Sequence, residues 1–224
     1  MNIKYLGHSA FLLEDPNANI LIDPFIKDNP KCPIHISDLP KINYILVTHG
    51  HGDHLGDTVE IARKFNSLVI CNFEIILYLS KYNIKTHALH IGGSFNFPFG
   101  KVKMTNAVHG SSILEGPHVI CGGNPGGFLI TLDDKKLYHS GDTGLTMDMK
   151  LLECENIDLA MLPIGGNFTM DIDDALRAID FIKPKSVIPM HYDTFPLIES
   201  NPELLKLKSS CEVLNISPGD YISL

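Results

Sequence analysis

At 224 residues, with 44% apolar and 20% charged side chains, the chain can bury one substantial core but is too short for two ordinary domains and a linker. One domain over residues 1–224 is therefore expected. No basic leader runs into an apolar stretch, Glu14 and Asp15 interrupt the first residues, and no apolar run nears a membrane span, which reads as a soluble, unexported, cytoplasmic protein. The net charge of −8, with Lys183/Lys185 and Lys206/Lys208 as the densest cationic pairs, speaks against a binder of long nucleic acids, which must neutralise several phosphates.

Strand-like and helix-like segments alternate along the chain. Residues 3–6, 10–13 and 19–22 read as short strands, separated by Gly7-His8 and by Asp15-Pro16-Asn17. Residues 44–47 and 68–71 follow as strands. Val59, Ala62 and Phe65, each three residues apart, predict an amphipathic helix between them, and residues 74–82 suggest another. Further strands are expected at 101–108, 127–132, 136–138, 159–162 and 186–189, with a polar turn at Asp133-Asp134-Lys135. A helix over 173–182 opens on Asp171, Asp173 and Asp174, which suit a helix N-terminus better than a ligand set. The Gly122–Gly127 stretch lacks the Gly-Lys-Ser/Thr ending of a P-loop and reads as a tight hairpin. Five scattered cysteines (32, 71, 121, 154 and 211) contain no Cys-x-x-Cys and read as buried reduced thiols. No coiled coil or repeat indicates an oligomeric state.

Thr48-His49-Gly50-His51-Gly52-Asp53-His54 is the strongest chemical signal. In an extended segment His49, His51 and Asp53 share a side, the glycines let the backbone wrap closely, and His54 follows as the chain turns. Imidazole and carboxylate suit zinc, iron or manganese. His109, Asp142 and His191 each stand just beyond a strand-like run, where binding loops assemble on a rigid scaffold.

His-x-His-x-Asp-His after an apolar strand resembles the signature of the metallo-β-lactamase superfamily, and the resemblance extends over nearly the whole chain. Ala107-Val108-His109, Ser140-Gly141-Asp142-Thr143-Gly144 and Pro189-Met190-His191 match later motifs in order. The resemblance implies an α/β fold, a four-layer αβ/βα sandwich of two mixed sheets with helices on the outer faces. It implies a first metal held by His49, His51 and His109 and a second by Asp53, His54 and His191, with Asp142 bridging. Tyr5-Leu6-Gly7-His8-Ser9-Ala10, Gly122–Gly127, Gly165–Met170 and His191–Pro196 narrow the likeness to a compact group of metal-dependent hydrolases similar to ascorbate-6-phosphate lactonases.

Two metals about 3.5–4 Å apart can share a water and bring its pKa toward neutrality. The expected activity is hydroxide attack on a small ester, lactone or phosphoester, with two divalent ions, zinc first among zinc, manganese, iron and nickel. Asp53 could orient the nucleophile or protonate the leaving group, Asp23 could fix a ligand imidazole, and His8 could line the pocket. Asn167, Thr194 and His139 are candidates for touching the small-molecule substrate, whereas Thr169 reads as turn chemistry. His35, His87, His90 and His118 read as structural or surface residues. A ribonuclease, a mono-iron redox relative and a metal-binding protein without catalysis remain as alternatives.

Overall fold

The computed structural model describes residues 1–224. In chain order the strands begin with β1 (Asn2–Tyr5), β2 (Phe11–Glu14), β3 (Asn19–Ile22), β4 (Tyr44–Leu46), β5 (Leu68–Cys71) and β6 (Lys85–Ala88). They continue with β7 (Ser94–Phe97), β8 (Gly100–Asn106), β9 (Ser112–Glu115), β10 (His118–Cys121), β11 (Gly126–Leu132) and β12 (Lys135–His139). The last are β13 (Leu159–Pro163), β14 (Ser186–Met190), β15 (Glu212–Val213) and β16 (Tyr221–Ser223). The helices are α1 (Gly52–Leu55), α2 (Thr58–Phe65), α3 (Phe73–Leu79), α4 (Ile172–Ile182) and α5 (Pro202–Lys208).

Two compact units share these elements. The first comprises residues 1–90, 110–125 and 217–224, and the second residues 91–109 and 126–216. The first unit carries a mixed sheet ordered β16-β1-β2-β3-β4-β5-β6, antiparallel from β16 to β3 and parallel from β3 to β6. Its core gathers Leu12, Leu21, Ile45, Val47 and Val69 from the sheet with Ile61 and Ala62 of α2 and Ile75 and Leu79 of α3. The apolar stripe of α2 thus includes Ile61, with Val59 and Phe65 half-buried at its margins. The expected helix over 74–82 divides into α3 and a 3-10 turn at Ser80–Tyr82, which ends on Asn83 in the left-handed region.

The second unit's mixed sheet runs β15-β14-β13-β12-β11-β8-β7. β11 and β12 meet through Asp133 and Asp134, both at positive φ, a two-residue turn whose twist suits the hairpin. Pro189 sits inside β14, where an amide-less residue would ordinarily break a ladder. It is tolerated because β15 pairs only with Ser186 and Val187, so the outer side of β14 at Pro189 has no strand to donate to. The amphipathic α4 buries Ala175, Ala178, Ile179 and Ile182, and the Asp171 carboxylate caps it by accepting from Asp174 N at 2.9 Å.

The Gly122–Gly127 stretch is not a hairpin. β10 pairs with β9, while β11 pairs with β8 and β12, so these glycines connect strands of different sheets. Asn72 holds the connector, its Nδ2 donating to the carbonyls of Gly122 (2.7 Å) and Asn124 (3.0 Å). All five cysteines are free, but only Cys71 is buried, and Cys121 and Cys154 are exposed. No helix is long and apolar enough to cross a membrane.

Candidate metal centre

In the first unit the donors are organised around Asp23. β3 ends at Ile22, and Asp23 takes a left-handed backbone (φ +45) that sends its carboxylate into the core, with none of the residue exposed. Its Oδ1 accepts from Thr48 N at 2.8 Å and its Oδ2 from the Thr48 hydroxyl at 2.7 Å. Oδ2 also stands 2.7 Å from His54 Nδ1, so the carboxylate fixes that proton on Nδ1 and makes Nε2 the nitrogen offered to a metal. A Thr48 hydroxyl that donates to Asp23 can accept from His49 Nδ1, 3.0 Å away, and His49 is thereby set to present its Nε2 as well. His51 Nδ1 lies 3.0 Å from that Nε2. Two bonds of about 2.0–2.1 Å from one ion at a tetrahedral angle span about 3.3 Å, so this pair of nitrogens fits a common ion.

The extended alternation expected from His49 to Asp53 ends at His51, which keeps extended dihedrals as the residue before α1. Gly52–Leu55 is helical, so Asp53 and His54 leave the first pair's line and project from a helical turn. Asp53 Oδ2 there meets His8 Nε2 at 3.1 Å. His8 is fully buried at φ +59, a conformation few non-glycine residues adopt, with the Tyr5 hydroxyl donating to its carbonyl and Phe25 at its ring edge. His8, Asp53 and His54 offer ligand atoms all within 4.8 Å of one another. Only one of the two glycines is demanded by space. A Cβ on Gly50 would meet Ile113 Cγ1 at 2.6 Å, whereas Gly52 has nothing within 4 Å. Gly50 N donates to Ser111 Oγ, which in turn donates to Gly122 O, so the motif loop is bound to the segment that follows His109.

In the second unit Asp142 is the focus. Its Oδ2 lies 2.8 Å from His191 Nε2 and 3.5 Å from His109 Nε2, with Asp142 and His191 nearly fully buried. Thr143 joins the two loops: its hydroxyl accepts from Val108 N and donates to Gly144 O, while Gly144 N donates to Val108 O. His191 adopts φ +53 immediately after β14, and Gly165 allows it to, because a Cβ there would stand 2.3 Å from the His191 carbonyl.

The remaining candidates differ in exposure. His139 is fully buried at the end of β12, and its Nδ1 accepts from Gly141 N, which shapes the loop that carries Asp142. Asn167 is exposed at φ +48 in a loop closed by Gly166 N to Met170 O, and Met170 N to Thr143 O anchors that loop beside Asp142. Thr194 is buried, with its hydroxyl 3.4 Å from Tyr192 O. Thr169 behaves as the turn residue expected. His35, His90 and His118 are exposed, and His87 is half-buried on β6. Sequence reasoning missed Thr48, Thr143 and Ser111. Thr48 and Thr143 adjoin metal-type residues in the chain, which is the signal that was available, whereas Ser111 acts through contacts far from it in sequence.

A family model described as a β-lactamase superfamily domain matches residues 18–192. A UPF0173 metal-dependent hydrolase of Alkaliphilus metalliredigens is 54% identical over 219 residues, covering 96% of this chain and 97% of that one. The chain belongs to the UPF0173 metal-dependent hydrolase family. A family member from Carboxydothermus hydrogenoformans is 53% identical over 230 residues and covers the full length of both chains. Among solved structures, Igni18, a metallo hydrolase from Ignicoccus hospitalis, superposes with a TM-score of 0.90 at 34% identity, covering 99% of this chain and 97% of that one. The family's fold is the metallo-β-lactamase fold expected from the motifs, with its two mixed sheets and accompanying helices.

Proposed function

We propose that this chain is a metal-dependent hydrolase that uses two divalent ions, zinc by preference, to cleave a small ester, lactone or phosphoester. The observation that carries the reading is the Asp23–Thr48–His54 arrangement. A wholly buried carboxylate spends both oxygens on orienting His54 and the Thr48 that precedes His49, a use of buried charge that makes sense when the imidazoles must face a cation. The donor set is imidazole and carboxylate throughout, which fits zinc and also accommodates manganese, iron or nickel. In this reading His49, His51 and His109 hold one ion, Asp53, His54 and His191 the other, and Asp142 serves both. When bound, such ions supply a source of hydroxide at neutral pH and a Lewis acid for the oxygen under attack.

The chain's own residues divide the remaining work. Asp53 holds the proton traffic: its Oδ2 exchanges a hydrogen bond with His8 Nε2, so a proton taken by Asp53 can be shared with a buried imidazole or passed to a leaving group. His8 keeps that carboxylate oriented. Asp23 and Thr48 fix the tautomers of His54 and His49, and Thr143 keeps the loops of His109 and Asp142 in step. His139 supports the substrate side indirectly, through Gly141. Asn167, exposed near the Asp142 loop, and Thr194, beyond His191, are the residues we assign to substrate contact. The cytoplasm is the assigned compartment, and the partner is a small molecule rather than a nucleic acid.

The test pairs metal content of protein purified without chelator with turnover of lactone, carboxylester and phosphodiester panels. About two ions per chain, with activity abolished by chelation and restored by zinc, supports the reading. One iron per chain with no hydrolysis would transfer the chain to the redox relatives, and no bound metal would end the proposal.

A further inference from the structure

The second unit contains a cavity that is lined by none of the residues assigned to metal or substrate. β8 and β12 flank β11, and their register places Lys103, Leu129 and Tyr138 in one cross-strand row. Alternation along β8 puts Thr105 on the same face as Lys103. The segment Met147–Glu155, a run of 3-10 turns, packs on that face, with Met149 and Leu152 joining Leu129 and Tyr138 in one apolar cluster. The packing leaves a cavity of about 210 Å³ lined by Ile91, Met149, Leu151 and Leu152 together with Thr105 and Tyr138. Its lip is apolar and open to solvent, since Leu151 is 78% exposed.

The polar groups inside are what make this more than a packing defect. Thr105 Oγ1 is buried against the Tyr138 hydroxyl, within hydrogen-bonding reach of it. Beside it stands the Tyr138 phenol in a side chain only 1% exposed. Burial pushes the phenol's pKa up, so Tyr138 stays protonated and able to donate at every physiological pH. When one of these hydroxyls donates to the other, one proton is left to donate into the chamber, so the pair suits a single acceptor oxygen. The two carboxylates that also line the chamber are already engaged. Asp148 accepts from Asn106 Nδ2 at 2.5 Å, and Glu155 pairs with Lys136 at 2.7 Å. Lys103, a further lining residue, offsets one of these two negative charges. Size sets the other limit, since an apolar cavity of about 150 Å³ accepts benzene.

We propose that this cavity is a second small-molecule site, which takes a single-ring or comparably compact apolar molecule bearing one acceptor oxygen, ketone or carboxylate. The site is independent of the metal centre and stands or falls without it. Three probes test it on the zinc-loaded protein: acetophenone, benzoate, and toluene as the control without oxygen. The readout is the methyl resonance of Met149 in protein labelled at the methionine methyls, assigned through Met149→Leu.

The expected result is a saturable Met149 shift with acetophenone or benzoate at a Kd below about 1 mM, and with toluene at least about tenfold weaker. Acetophenone as the tighter probe assigns the hydroxyls as the main recognition, and benzoate as the tighter probe adds Lys103. Thr105→Val, which keeps the side chain's shape, should remove most of the advantage of the oxygenated probes, and Leu152→Phe should abolish binding by filling the chamber. No saturable shift with any probe overturns the proposal, as does equal affinity for toluene and the oxygenated probes. Acetophenone and benzoate both binding Thr105→Val as tightly as the parent also overturns it. If Leu152→Phe fails to fold, the Thr105→Val comparison alone decides.

Discussion

Asp23 Oδ2 lies 2.7 Å from His54 Nδ1, and neither side chain has any exposure to solvent. The same carboxylate accepts from the amide and the hydroxyl of Thr48, so one residue at the end of β3 fixes the start of the His-x-His-x-Asp-His segment and its last histidine together. Asp23→Asn tests what the charge does, because asparagine tolerates the left-handed backbone that Asp23 adopts. The amide oxygen would remain with Thr48 N, leaving an NH2 to face His54 Nδ1 and the Thr48 hydroxyl. His54 would then be driven to carry its proton on Nε2, the atom it should offer a metal. Metal affinity is expected to fall about 10–100-fold while the variant stays folded. Competition against a chromophoric chelator measures this, and unchanged affinity would show that Asp23 does not act through His54.

Gly50 and Gly52 look equivalent in the motif, yet the structure separates them. A methyl on Gly50 would strike the Ile113 side chain and the Ser111 carbonyl, at 2.6 and 2.9 Å. Gly50→Ala is therefore expected to cost about 1–3 kcal/mol and to disturb the Gly50–Ser111 hydrogen bond. Gly52 begins a helix and has nothing within 4 Å, so Gly52→Ala should leave stability within about 0.5 kcal/mol or raise it slightly. Urea unfolding of both variants checks the contrast, and equal effects would mean that the loop relaxes freely around Gly50.

Gly165 makes the corresponding prediction in the second unit. Its Cβ position would lie 2.3 Å from the His191 carbonyl and 2.9 Å from Ile198 Cβ, atoms held by backbone rather than by a flexible tip. Gly165→Ala must displace His191, which already occupies a left-handed backbone. The expected outcome is a loss of about 2 kcal/mol or more together with weakened metal binding. A variant as stable as the parent that also keeps full metal affinity would contradict this.

Much of the sheet framework was readable because its strands are short apolar runs bounded by turn residues. Residues 19–22 and 68–71 match β3 and β5, and the Asp133-Asp134 turn was plain from its polarity. Of the strands that went unread, β6 is Lys-Thr-His-Ala and β15 is two residues, with too little apolar signal, β16 pairs with β1 across nearly the whole chain length, and β7, β9 and β10 are four-residue runs whose pairing is set only in the fold. The metal-type residues were legible through residue type and order. Their orientation was not, since the switch from extended chain to helix between His51 and Asp53 depends on hydrogen bonds from His54 N and Leu55 N to His51 O. The supporting hydroxyls of Thr143 and Ser111 were invisible for the same reason: a hydroxyl's partner is set by folding, not by its neighbours in sequence. The Gly122–Gly127 connector was misread because glycines serve a turn and a close approach equally well.

Asp158 supplies a prediction about pH. It immediately precedes β13, where Lys185 Nζ donates to its Oδ1 at 2.7 Å and Lys136 N to its Oδ2 at 2.9 Å. Burial alone would push this carboxyl up, but the hydrogen bonds from Lys185 and Lys136 and the charges of Lys185 and Lys135 outweigh it and hold the pKa below the ordinary value. A carboxyl depressed in the folded state adds stability that is fully present above its unfolded pKa of about 3.9, and that is lost as pH falls through the folded value. Asp158→Asn removes this contribution and leaves Lys185 unpaired, at a cost of about 1–2 kcal/mol at neutral pH. The stability gap between parent and variant should therefore stay constant from pH 7 to about 5 and narrow below about pH 4. Denaturant midpoints measured for both proteins across that range, at equal metal loading, decide it. A gap that persists unchanged to pH 3 would mean that Asp158 contributes shape rather than charge.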